Sequence, residues 1–261
     1  MEQEKNNGIL NHLPAERILA EYASAPGNEI ASGKFVSKES SAALAANTFG
    51  LFLDHPGDLP RLPGTEECGW PAGRVGLEKV VRFPWRGGLH PCLDALIETG
   101  TALIGVESKR FEPFRPKQLG EFSDAYMRPK WGDAMRGYES IRDLYRQNAS
   151  PFTMLDAAQL VKHAFGLRSE AERRHRAGNP RVPILYYLYA EPASWPVGGK
   201  VIGPEIHEAH RQEIQLFAKL VAGDEVEFHS CSYSRLLAAW SSSSSPDIRD
   251  HAAAIVGHFK P

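Results

Sequence analysis

Cysteine is scarce: Cys68, Cys92 and Cys231 are the only ones in 261 residues, and no two form a CxxC pair. A scattered, odd-numbered set argues against a disulfide framework and against a cysteine-based zinc site, and it fits a reducing compartment. Excess charge of either sign is missing as well. Thirty Lys+Arg stand against 32 Asp+Glu, a formal net charge of −2. The overall field therefore gives no argument for nucleic acid, and any basic surface must be local. No apolar run approaches the roughly 18 residues of a membrane span. The opening MEQEKNNGIL lacks the basic-then-apolar order of a signal peptide. There is no internal repeat, no Gly-rich phosphate loop and no nucleophile elbow. His207 and His210 lie three apart without an HExxH pattern around them, which favours structural or surface roles. These absences predict a soluble cytoplasmic protein with no membrane partner.

What is present is an alternation of helical and strand-like segments. Apolar content of 42% is ordinary for a globular chain able to bury a sizeable core. Residues 1–36 read as a peripheral segment with a short helix over 14–22. From Ser37, SKESSAALAANTFGLFLD has helical spacing, an N-cap and an acidic first turn at Glu39. Residues 54–76, rich in Pro and Gly, form an irregular excursion long enough to be a functional loop or flap. Strands are predicted at 77–83, 182–190 and 225–230. Helices are predicted at 137–147, at 156–167 ending near Gly166, at 207–222, from 234 and over 247–259. The unbroken apolar run VPILYYLYA suits a central strand covered on both faces. The order predicts an α/β fold with a mixed central sheet flanked by helices, with residues 37–261 as the main domain.

Residues 90–112, HPCLDALIETGTALIGVESKRFE, carry the one functional anomaly. Two apolar arms alternate as half-buried strands, and Thr99-Gly100 between them reads as a two-residue turn. That register sets Asp94 opposite Gly105 and places Asp94, Gly105, Glu107 and Lys109 on one face. Asp94 and Glu107 become diagonal neighbours about 7–8 Å apart, with open space at Gly105 between them. Two carboxylates on a core hairpin are costly without a partner, and a hard divalent ion would relieve their repulsion. The Ser108 carbonyl is a further candidate ligand. Lys109 would orient a water or stabilise charge on a phosphate oxygen, which suits metal-assisted phosphodiester hydrolysis. A structural ion pair near a sheet end would leave the same pattern.

LDALI followed by LIGVESK resembles the Asp…Glu-x-Lys core of the PD-(D/E)XK nuclease superfamily, the restriction-endonuclease-like fold. ESSAALAANTFG before it, and QLVKHAFGL and ILYYLYAEP after it, resemble an uncharacterised prokaryotic subgroup of that superfamily. The resemblance covers roughly residues 37–240. One departure is that Leu93, not proline, precedes Asp94. The resemblance implies a Mg²⁺- or Mn²⁺-dependent deoxyribonuclease in restriction, defence or repair. Asp94 and Glu107 would be metal ligands and Lys109 the catalytic lysine. Glu39 would be an additional acidic group, and Gln159 a glutamine near the site. DNA is the expected partner, with RNA as a lesser alternative and a homodimer as an option where both strands are cut. A non-catalytic nucleic-acid- or protein-binding module on the same fold is the rival reading.

For phosphate contacts, the local basic excess is Lys162, Arg168, Arg173, Arg174, Arg176 and Arg181, accompanied by His163 and His175. A second set follows the hairpin: Lys109, Arg110, Arg115, Lys117, Arg128 and Lys130. A solvated charged loop is the plain alternative for either set.

Overall fold

The computed structural model describes residues 8–85, 89–116, 120–128 and 131–261. At its centre β1 (Arg74–Val80), β2 (Cys92–Glu98), β3 (Ala102–Lys109), β4 (Val182–Tyr189) and β5 (Glu227–Ser232) form one sheet in that spatial order. The β1–β2 and β2–β3 pairs are antiparallel, and the β3–β4 and β4–β5 pairs are parallel. Parallel neighbours need crossovers, and helices supply them. Helices α3 (Arg136–Arg146) and α4 (Ala157–Arg176) lead from β3 to β4, and α5 (Pro204–Leu220) leads from β4 to β5. Helices α1 (Ala15–Ser24) and α2 (Ser41–Phe49) precede the sheet, while α6 (Tyr233–Ser241) and α7 (Pro246–Phe259) follow it. The expected α/β class and mixed sheet are present.

Side-chain alternation divides the interior into two cores. Ile104, Val106, Ile184, Tyr186 and Leu188 pack with Phe49 of α2, Leu237 of α6 and Ile255 of α7 on one face. Leu103, Leu185 and Tyr187 pack with Phe165 of α4 and Phe217 of α5 on the other. Strand β4 is thus covered on both faces, as its apolar run predicts.

Several boundaries differ from the sequence reading, each for a local reason. Helix α4 does not end at Gly166 but continues to Arg176. A Cβ at Gly166 would lie 2.5 Å from Val81 and 2.9 Å from Pro91, so this glycine permits close packing against the sheet edge. The lead-in expected to be peripheral instead supplies Ile18, Tyr22 and Phe35 to the core shared with α2. The long excursion is no flap over the hairpin charges. Its Gly69 carbonyl accepts from the Gly100 N–H at 2.8 Å, its Cys68 carbonyl accepts from the Thr99 hydroxyl, and its Pro63 carbonyl accepts from the Tyr186 hydroxyl at 2.9 Å. It therefore clamps the turn end of the hairpin, and β1 begins within it.

Candidate metal centre

The β2–β3 register differs from the predicted one by two positions. Glu98 pairs with Leu103 and Leu96 with Gly105, so a longer connection replaces the two-residue turn. A two-residue hairpin turn needs left-handed φ, which β-branched Thr99 resists. Thr99 instead closes the connection with its side chain, its hydroxyl oxygen accepting the Ala102 N–H at 3.0 Å. A shift of two preserves the face of every residue, and it brings Asp94 level with Glu107 rather than diagonal to it.

Regular pairing stops short of that level. The last β2–β3 pair is Ala95 with Val106, and beyond it the Asp94 carboxylate accepts the Ser108 N–H at 2.7 Å. Strand β1 is distorted at the same height. Glu78 adopts a left-handed φ of 48° and drops out of the pairing between Leu77–Ala95 and Lys79–Leu93. Past this kink Leu93 faces the α4 side, while Ala95 and Ile97 face the α2 side. The predicted open space at Gly105 is filled: a Cβ there would stand 2.8 Å from methyl groups of Leu93 and Leu167. The space lies instead at the split between the strands.

That split opens into a cavity of about 490 Å³ whose lining includes Asp94, Glu107, Lys109, Glu39 and Gln159. All the side chains expected to act at the site thus share one cavity. Glu39 is not in the first turn of α2, because Ser40 is the N-cap; it lies just before the helix and pairs with Arg115. Gln159 is in the first turn of α4, where its N–H donates to the capping Asp156 carboxylate at 3.0 Å. Glu107 is 2% exposed and placed between two cationic or polar groups. Its Oε1 is 2.5 Å from Lys109 Nζ and its Oε2 is 3.1 Å from His163 Nδ1, the latter not aligned as a hydrogen bond.

Glu78, Glu29 and Glu112 line the cavity too, so six carboxylates face Lys34, Lys109 and Arg115. Burial, then Glu107 and Glu78, push the Asp94 pKa well above the usual carboxylate range, against the pull of Lys109 and the Ser108 N–H. Burial raises that of Glu107 as well, but Lys109 and His163 outweigh it and bring it down to about 2. Burial would lower the Lys109 pKa, yet Glu107, Glu112 and Asp94 raise it, so the ammonium stays charged. Glu78 is pushed up by burial, partly offset by the Cys92 thiol, which donates to it at 3.2 Å. Burial and Glu78 likewise raise the Cys92 pKa and keep that thiol protonated, which removes it as a thiolate nucleophile.

This donor set fits a hard divalent cation. Asp94 and Glu107 flank the split, and negative charge exceeds positive among the lining residues. The Ser108 N–H points at Asp94, and in a strand the carbonyl of a residue leaves on the same edge as its N–H. The Ser108 carbonyl therefore faces the split. Among the described residues no three His, Cys, Asp or Glu side chains stand in a metal-binding cluster. Two carboxylates and a carbonyl, with water for the rest, suit Mg²⁺ better than a closed protein cage would.

Sequence reasoning missed Glu78 and the contact of His163 with Glu107. Gln159 and His163 are one helical turn apart, a spacing that puts both on one face and could have flagged the pair. Glu78 carried a weaker signal, a carboxylate inside the apolar run LEKVV.

The expected phosphate-contacting set is not gathered at this site. Arg168 pairs with Glu225 at 3.0 Å, Arg173 with Glu170 at 2.6 Å, and Arg176 with Glu172. Arg174 grips Glu98 through two bonds of 2.6 and 2.9 Å at the turn end of the hairpin. Arg181 donates to its neighbour's carbonyl, and Lys162 lies over the Phe122 and Tyr126 rings. These cations are largely matched by acids within the fold, because α4 continues through the segment read as solvated loop. Of the second set, Lys117 and Lys130 lie outside the described residues. Arg110 is buried, and Arg128 lies over the Trp85 ring. His210 is buried against Tyr187, its Nε2 3.0 Å from the phenol oxygen, and His207 packs on Phe114.

Comparison of the chain with protein-family models, with curated proteins and with solved structures finds no match. Among the described residues no helix is long and apolar enough to cross a membrane.

Proposed function

We propose that this chain is a metal-dependent nuclease of the PD-(D/E)XK, restriction-endonuclease-like kind that hydrolyses DNA phosphodiester bonds. The observation that carries the reading is the common cavity of Asp94, Glu107, Lys109, Glu39 and Gln159 at a split between antiparallel strands. Asp94, Glu107 and the Ser108 carbonyl would hold Mg²⁺ or Mn²⁺, which when bound supplies a Lewis acid for the phosphate. Lys109 acts as a permanent cation, since its surroundings keep the ammonium charged. It therefore stabilises charge on phosphate oxygen or orients the attacking water and does not serve as the base. His163 Nδ1 stands 3.1 Å from the Glu107 carboxylate on the α4 side.

Incubation of the protein with single- and double-stranded DNA in Mg²⁺ or Mn²⁺ tests the reading. Cleavage is expected, with Lys109→Ala reducing the rate by about 10²–10³-fold, the loss typical of removing one charge-stabilising donor. Cleavage unchanged in the variant, or absent with every substrate, contradicts it. The close Lys109–Glu107 contact at 2.5 Å favours one rival, a non-catalytic binding module that keeps this pair as a structural bridge. That rival expects no Mn²⁺ binding and DNA binding unaffected by Asp94→Ala.

A further inference from the structure

A second cavity, of about 870 Å³, adjoins the candidate metal centre, and Ser37 and Phe111 line both. Its chemistry is the inverse of the first. Among the described residues its lining includes Lys38, Arg110 and Lys260 and no carboxylate, and half-buried Trp195 stands with the buried Phe35 and Phe111 as an aromatic wall.

Arg110 directly follows Lys109 and is only 6% exposed. Its guanidinium donates to the Lys38 carbonyl at 2.6 Å and to the Phe259 carbonyl, so it ties together the two segments that carry Lys38 and Lys260. Its Nε–H is buried without a partner, and it forms no ion pair among the described residues. A desolvated cation with no counter-anion is costly, and an anionic ligand would offset that cost. Lys38 and Lys260 are exposed and likewise form no ion pair among the described residues.

Trp195 is presented by a short hairpin closed by the Ser194–Val201 bridge and a 2.9 Å bond from its own N–H to the Lys200 carbonyl. Its ring stacks on Phe111, with centroids 5.3 Å apart. The Arg115 guanidinium lies 5.5 Å from the Trp195 ring and also pairs with Glu39, so one side chain links the cationic cavity to the acidic one.

We infer that this second cavity is a subsite for single-stranded DNA beside the scissile phosphate. Backbone phosphates face Lys38 and Lys260 beside Arg110, and an unstacked base rests against Trp195, which the buried Phe111 backs. Aromatic walls favour single strands because a duplex keeps its bases stacked on one another. The volume is within the roughly 300–1,000 Å³ of ordinary ligand sites. The substrate assignment rests on the nuclease reading, but the binding claim stands or falls separately.

Fluorescence anisotropy in EDTA tests it, with a labelled oligothymidylate and a blunt duplex of equal length as probes. The single strand is expected to bind at least fivefold tighter than the duplex. The double variant Lys38→Glu/Lys260→Glu is expected to weaken single-strand binding at least fivefold. It should also flatten the slope of log K against log salt by about 1.4, at about 0.7 for each phosphate that loses its lysine. Trp195→Ala is expected to weaken binding at least fivefold while leaving that slope in place. Circular dichroism melts confirm that both variants fold, and the exposed lysines make the double variant the safer arm. No single-strand binding, a preference below fivefold, or a smaller effect of the double variant overturns the subsite. If these binding results hold but no metal supports cleavage, the subsite stands and the nuclease reading falls. If cleavage occurs while the anisotropy stays unmoved, the nuclease reading stands and the subsite falls.

Discussion

The two ends of the β2–β3 hairpin are made from the same pair of strands and treat charge in opposite ways. At the turn end, Glu98 is held by two bonds to Arg174 and approached by Arg74 at 3.5 Å, and the turn itself is bonded to Cys68 and Gly69. The hairpin's own acid there has its cations. At the far end, pairing stops after Ala95–Val106, β1 is kinked at Glu78, and six carboxylates share a cavity with three cations. Balanced charge with continuous pairing holds the fold together. Unbalanced charge where pairing fails costs stability in the free protein and makes sense where a cation is to be bound.

The contrast can be broken from the stable end first. Arg174→Ala leaves Glu98 without its main partner and is expected to cost about 1.5–3 kcal/mol, the range for hydrogen bonds to charged groups. Urea denaturation measures this, and metal binding at the other end should not change. An unaltered midpoint, or metal binding lost with it, would erase the distinction between the ends. Gly105→Ala probes the boundary between them. The added methyl would meet Leu93 and Leu167 at 2.8 Å, and since leucine methyls can turn aside the expected cost is about 1 kcal/mol. A gain in stability would mean that the space predicted at Gly105 exists after all.

The smallest expected effect has the opposite sign. The raised pKa of Asp94 means that folding without metal binds a proton there. Its contribution to stability is present below the ordinary carboxylate range and is lost as pH rises through the folded pKa. Glu107, drawn down to about 2, does the reverse: its contribution is present above the ordinary range and is lost as pH falls toward about 2. Without metal, Asp94→Asn should therefore raise the melting temperature at neutral pH, by about 2–4 °C for each kcal/mol recovered. The gain should shrink as pH falls toward the ordinary carboxylate range. Thermal melts at several pH values in EDTA check this, and a variant less stable than the parent at neutral pH counts against an overcharged site.

Much of this site was legible in the sequence because strand parity survives an error in register. The predicted turn was too short, but a slip of two residues left Glu107 and Lys109 on their shared face, and Asp94, where β2 changes faces between Leu93 and Ala95, lines the same cavity. Glu39 and Gln159 came from a resemblance in sequence, and both line the cavity although Glu39 precedes its helix. Glu78 was harder to read, because beyond its place in an apolar run its role depends on a left-handed φ at a non-glycine residue, which no period reveals. The ion pairs of the α4 arginines were hidden for a related reason. Their acidic partners are distant in sequence, as Glu98 and Glu225 are from Arg174 and Arg168, or are masked when a helix is read as a loop.

Calorimetric titration of Mn²⁺ into the metal-free protein asks most directly whether the split end is a metal centre. Binding is expected in the parent and in Glu98→Gln, whose carboxylate belongs to the paired end. It should be lost in Asp94→Asn and in Glu107→Gln. Absence of Mn²⁺ binding in the parent, or binding that survives both of those substitutions, would contradict the assignment.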